Sequence, residues 1–232
     1  MILRRTVIIA MCLLLFSLAL TAHAQGKAKA KSGLTPAEAK AIAQEAYVYG
    51  LQQVVFYGIR YGYTQLESSP QYVGINRLWW LRQPITPEFR QIVTPNATTL
   101  YGSGFFDLSK EPLVVELPAI QDRYYSFQTM DQYGDYFFYA GNQFTGTKAQ
   151  KYLLSGPGWK GKVPDEFKGI EIIQAPSNAG FMIMRLALRN YNEDEVHTIN
   201  EYQDQVTTTP LKERVANGKK GVSYDQRPKV KG

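Results

Sequence analysis

Apolar and polar positions follow two different periods along this chain, and the change falls near Ile92. Ahead of it, Ala39, Ile42, Ala43, Ala46, Gly50 and Val54 recur at helical spacing, and their small size describes a packing face that another element can approach closely. The start of that helix is marked by Thr35-Pro36-Ala37-Glu38. There the threonine hydroxyl and the glutamate carboxylate satisfy free amides while proline takes the first helical position. Gly58 and Gly62 weaken any continuation past Tyr57, because glycine in a helix interior costs stability.

Beyond Ile92 the period is two, with turn residues every eight to twelve positions, which is the pattern of antiparallel strands. Strands are predicted over 99–108, 113–117, 124–131, 135–140, 152–155, 170–174 and 181–188. A helix over 193–206 closes the body, with Asn192 as its N-cap and Glu193, Asp194 and Glu195 where the helix dipole favours acids. The expected fold is one α+β domain over 34–211, a mostly antiparallel β-sheet or sandwich with flanking N- and C-terminal helices.

The first residues belong to a different account. Arg4 and Arg5 precede an apolar run of 14 residues, Val7 to Leu20, and then Ala22-His23-Ala24. This is the layout of a secretory signal peptide cleaved after Ala24, and the run is shorter than the roughly 20 residues of a membrane span. A periplasmic or secreted protein follows, with residues 1–24 removed and 25–33 a basic linker. The only cysteine, Cys12, and one of the two histidines, His23, leave with the signal. What remains excludes thiol catalysis, disulfides, cysteine zinc sites and multi-histidine metal centres. His197, the remaining imidazole, sits in a polar helical segment and reads as solvated. No metal and no cofactor is expected.

Of the 26 basic residues, five precede Gly33 and seven follow Pro210, leaving 14 basic and 18 acidic residues between. The overall charge of +6 therefore belongs to the ends, and the body is mildly acidic. A nucleic-acid partner is not expected, since that function clusters basic side chains on the folded surface. Residues 212–232 read as a disordered basic tail.

Two short motifs dissolve on inspection. Gly156-Pro157-Gly158-Trp159-Lys160-Gly161 spells a dinucleotide-binding pattern, but Pro157 and Pro164 oppose the helix that would face a phosphate, so it reads as a turn. Asn96-Ala97-Thr98 spells a glycosylation acceptor, which matters only in a eukaryotic source. More telling is Arg185, one charged residue in the apolar run Phe181 to Leu188. A buried guanidinium needs an acceptor, and Asp131 or Asp107 is the expected partner. With Tyr101 these residues would form a polar site at the edge of an aromatic pocket, the arginine binding a carboxylate or phosphate and an aspartate serving as general base. The plainer reading is a structural ion pair within a tyrosine network.

Several motifs together resemble a bacterial family of exported proteins, domain of unknown function 1254. They are Thr94-Pro95-Asn96 with Thr99-Leu100-Tyr101, Phe106-Asp107-Leu108-Ser109-Lys110-Glu111-Pro112, Arg123-Tyr124-Tyr125 with Asp131 and Tyr133, Thr145-Gly146-Thr147, Gly156-Pro157-Gly158-Trp159, and Pro176-Ser177-Asn178 before Arg185. The resemblance implies a β-rich domain with flanking helices in an envelope setting and no settled activity. Two departures stand out: Ala97-Thr98 replaces the family's asparagine-aspartate pair, and a second domain, number 1214, which commonly follows, is replaced here by the basic tail.

The expected function is binding of a small ligand, a glycan or a partner domain through a tyrosine-rich β face, with Asn96, Tyr101, Asp107, Arg123, Tyr125, Asp131 and Arg185 as candidate residues. One alternative is a hydrolase using Asp131, Arg185 and Tyr101. Another is an assembly subunit completed by a separate 1214-type domain, which would leave an apolar patch exposed.

Overall fold

The computed structural model describes residues 33–90, 94–217 and 231. The signal peptide, most of the linker and most of the basic tail lie outside the described residues. The chain divides into two compact units, residues 1–49 and 50–232.

In the first unit, the described part is the start of helix α1 (Pro36–Thr64). Its cap forms as the sequence predicts: Glu38 N donates to Thr35 Oγ1 at 3.2 Å, and Thr35 N donates to the Glu38 carboxylate at 2.7 Å. The hydrogen bonds that the Thr35 amide and hydroxyl donate to it hold the Glu38 carboxyl below its ordinary range. The helix does not stop at Tyr57. It runs through Gly58 and Gly62 to Thr64, because its last turns are anchored in the second unit: Phe56 is buried against Phe105 with ring centroids 5.2 Å apart, and Tyr63 meets the same ring at 5.5 Å. Tertiary packing there outweighs the propensity cost of two glycines.

The second unit is a two-sheet α+β fold. One sheet has the order β1-β2-β8-β4-β5, from β1 (Trp79–Trp80), β2 (Thr99–Asp107), β4 (Tyr125–Asp131), β5 (Tyr136–Gly141) and β8 (Ala179–Ala187). The other has the order β7-β6-β3-β9, from β3 (Leu113–Leu117), β6 (Gln150–Ser155), β7 (Glu171–Gln174) and β9 (Thr207–Pro210). All pairings are antiparallel except β6 with β7. Leu100, Phe106, Tyr125, Phe127, Met182, Met184 and Leu186 of the first sheet share one buried cluster with Leu113, Val115, Tyr152 and Leu154 of the second. Helix α2 (Glu193–Gln205) adds Val196 and Ile199 to it, and Asn192 caps that helix by accepting from Glu195 N at 2.9 Å.

Close approach at the sheet edge explains two glycines. A Cβ on Gly102 would lie 2.2 Å from the Trp80 ring, and one on Gly104 would lie 1.9 Å from the Arg77 carbonyl oxygen. Glycine at both positions lets β1 and the segment before it lie flat on β2.

A further helix, α3 (Leu211–Ala216), occupies the first residues of what composition reads as a disordered tail. It is held by Arg214, whose buried guanidinium donates to both oxygens of Glu116 at 2.8 and 3.1 Å, while Lys151, opposite Glu116 in the sheet, approaches at 2.7 Å. Arg214 also lies over the Phe167 ring, 5.5 Å from its centroid.

Candidate functional site

Alternation along β2 and β8 divides their side chains between the two faces of the first sheet. Even positions of β8 enter the core between the sheets, whereas Phe181, Ile183 and Arg185 are half-buried on the outer face. The β2 strand lies beside β8 with Tyr101 opposite Arg185 and Ser103 opposite Ile183. These five residues form the floor of a cavity of about 460 Å³. Tyr63 of α1, Trp79 and Leu81 make one wall, and Ile85, Phe89 and the Thr94-Pro95-Asn96 segment complete the lining.

The polar groups of this cavity are few and placed. The Tyr63 hydroxyl and Ser103 Oγ are 2.9 Å apart, and burial raises the Tyr63 phenol above its ordinary range, so it stays protonated. Asn96 Oδ1 accepts from Thr98 N and Thr98 Oγ1, both at 2.7 Å, which closes a local turn at the rim. Thr94, with φ of 50°, lies in the left-handed region that a β-branched residue rarely adopts. Arg185 stacks over the Tyr101 ring with its Cζ 5.6 Å from the centroid, and its Nη1 donates to Gln128 Oε1. Among the described residues no carboxylate pairs with it.

The acid partners expected for Arg185 are elsewhere, and strand register is the reason. Asp131 lies opposite Gly180, five positions along β8 from Arg185 and roughly 17 Å away at strand rise. Its carboxylate instead accepts from Tyr133 N and Asp135 N at 2.8 and 3.0 Å, fastening the turn between β4 and β5. Asp107 lies opposite Ala179 and takes Arg60 of α1 at 3.5 Å and the amide of Ser109 at 2.9 Å. Gln128, one residue pair along from Ser126 on the face it shares with Arg185, fills the role that an acid was expected to fill.

Two other candidates also serve the framework. Tyr125 is fully buried between the sheets and donates its hydroxyl to the Gly146 carbonyl at 2.7 Å. Arg123 is buried two residues ahead of β4, donating to Glu195 at 2.6 Å and to Asp122 at 2.7 Å, so it clamps α2 to the sheet. Beside Arg123 the Asp122 carboxyl falls to about 2. Of the seven candidates, then, Asn96, Tyr101 and Arg185 meet in the cavity. Ser103, Phe181 and Ile183 were legible too, since alternation alone puts them on the face of Tyr101 and Arg185. Tyr63 and Trp79 carried no such signal, because they reach the cavity from a helix end and a two-residue strand.

Among the described residues the lining includes no carboxylate and no imidazole. His197 is exposed on α2, 3.3 Å from Glu201. Among the described residues no group of three His, Cys, Asp or Glu side chains could hold a metal ion, and no helix is long and apolar enough to cross a membrane.

The family model DUF1254, described as a protein of unknown function, matches residues 75–210, which hold both sheets and most of the cavity lining. The chain belongs to this family. Among solved structures, the VPA0106 protein from Vibrio parahaemolyticus is similar to this DUF1254 chain at 25% identity, with a TM-score of 0.59. That match covers 80% of this chain but 41% of the Vibrio protein, so the chain spans about two fifths of that protein's length. An uncharacterized protein from Burkholderia cenocepacia aligns with 49% of the chain and 31% of its own at 13% identity and a TM-score of 0.34. A search of curated proteins finds no match.

Proposed function

We propose that this DUF1254 protein is an exported binding protein whose cavity takes a small carboxylate with a flat apolar body. The observation that carries this reading is Arg185: a half-buried guanidinium in an aromatic cavity, oriented by a neutral amide rather than neutralised by an acid. A guanidinium offers five donors, so those not engaged by Gln128 can receive a carboxylate in the two-point manner that suits it. Phe181, Ile183 and Trp79 supply apolar contact, and the cavity volume lies within the range of small-molecule sites. The hydrolase alternative lacks a base at this place, because Asp131 is engaged elsewhere on the sheet. Export rests on the Arg4-Arg5 and Val7–Leu20 pattern with Ala22-His23-Ala24.

Calorimetric titration with phenylacetate and benzoate, against their neutral amides, tests the reading. The carboxylates should bind and the amides should bind at least ten-fold more weakly. Arg185→Met should lose about ten- to hundred-fold in affinity for the carboxylates, as expected for a charge-assisted contact, with its own melting temperature measured alongside. Equal binding of acid and amide, or undiminished binding by Arg185→Met, would overturn it.

A further inference from the structure

The cavity over the first sheet has a direction. Arg185 faces Tyr101 across the β2–β8 pairing; the next pair on the same face is Ser103 with Ile183, and the one after it Phe105 with Phe181. Pairs on one face follow each other at about 7 Å along the strands, so the guanidinium marks one end of the floor and Ser103 lies one step from it toward the aromatic rings. Phe105 stands there 5.0 Å from Phe181 and 5.5 Å from Tyr63 between ring centroids, and Tyr63 meets Trp79 edge-on at 6.5 Å. Within this apolar corner are two hydroxyls, those of Tyr63 and Ser103, 2.9 Å apart. Among the described residues each has the other as its hydrogen-bond partner.

Two hydroxyls bonded to each other use one hydrogen and leave one over, whichever of them donates. Burial raises the Tyr63 phenol, so both keep their hydrogens at neutral pH. Trp79 does not answer the spare hydrogen: an indole has no acceptor, and its N–H is given to the Pro70 carbonyl at 3.0 Å. A hydroxyl shut away from water without an acceptor is costly. A ligand that fills this corner with carbon alone imposes that cost, and one that brings an oxygen there removes it. Resting on the carboxylate reading of Arg185, we propose that the ligand is a para-hydroxylated aryl acid, with its carboxylate on Arg185 and its phenolic oxygen on the Tyr63–Ser103 pair. A para-substituted ring holds its acid and its hydroxyl on opposite sides, as the cavity floor holds its guanidinium and its hydroxyl pair. An ortho hydroxyl lies beside the carboxylate, at the Arg185 end, out of reach of the pair.

Calorimetric titration of the full chain with phenylacetate and its 4-hydroxy and 2-hydroxy derivatives tests this. The 4-hydroxyl should tighten binding about ten-fold, as a hydrogen bond to an otherwise unanswered hydroxyl predicts, and the 2-hydroxyl should not. In the double variant Tyr63→Phe with Ser103→Ala, shown to be folded by its melting temperature, the ratio of the 4-hydroxy to the parent affinity should fall to about one. Equal binding of phenylacetate and 4-hydroxyphenylacetate would overturn the hydroxyl subsite and leave the Arg185 reading standing. So would an equal gain from the 2-hydroxyl, or a 4-hydroxyl gain that survives in the double variant. A 4-hydroxyl gain in a ligand whose binding is indifferent to Arg185→Met would overturn the Arg185 reading, and this ligand class with it, while the subsite stands. Absence of binding by all three acids would overturn both.

Discussion

Arg123, just ahead of β4, and Arg185, within β8, are both partly or fully buried guanidinium groups, yet the structure uses them differently. Arg123 is enclosed by Glu195 and Asp122; removing it strands the buried Glu195 carboxylate, whereas removing Glu195 leaves Arg123 paired with Asp122. Arg123→Met should therefore cost about 3–5 kcal/mol in urea unfolding, Glu195→Gln less because Asp122 still pairs with the guanidinium, and Arg185→Met, which leaves only a neutral amide behind, far less than Arg123→Met. Asp122 adds a pH dependence of known sign. Its carboxyl is lowered from 3.8 to about 2 by Arg123, so its stabilisation is present above pH ~4 and is lost as pH falls through the folded value. Asp122→Asn should flatten the melting-temperature profile between those limits and lower it at neutral pH, where the carboxylate contributes in full. The sequence shows that Arg185 needs an acceptor but not which one. The acceptor is chosen by register across two strand pairings, and a single strand's pattern contains no register.

Secondary elements were legible in proportion to the length of their periodic signal. The strands over 113–117 and 181–188 alternate or run apolar over enough residues to be read, and they appear within two residues of the expected bounds. The β9 strand is Thr-Thr-Thr-Pro, with no apolar alternation, and exists because β3 offers it an edge. β1 is two tryptophans whose strand character comes from pairing with Ser103 and Gly102, while the segment before them lies on Gly104. Gly104→Ala tests that account: a Cβ so near a carbonyl oxygen forces backbone movement, and thermal unfolding should show a loss of about 1–3 kcal/mol or more. The face of α1 expected to pack was read correctly as apolar, but in the second unit Gly50 has open space around it and Val54 is exposed. Periodicity identifies an apolar face without saying which molecule covers it.

At the scale of the whole molecule, the expected boundary at residue 211 cuts through structure. Truncation after Leu211 would remove Arg214 and leave the partly buried Glu116 with Lys151 and the Thr207 hydroxyl; it should cost several kcal/mol relative to the full chain in chemical denaturation. The order of strands in space has a consequence for how the protein is made. β2 pairs with β8, and β3 lies between β6 and β9, while Arg82 reaches Asp204 and Arg123 reaches Glu195, contacts spanning 122 and 72 residues. The first sheet cannot close until β8 has left the ribosome, nor the second until β9 has. Non-local topology of this kind folds slowly, so the nascent chain should hold two incomplete sheets with open edges until the last of these strands emerges.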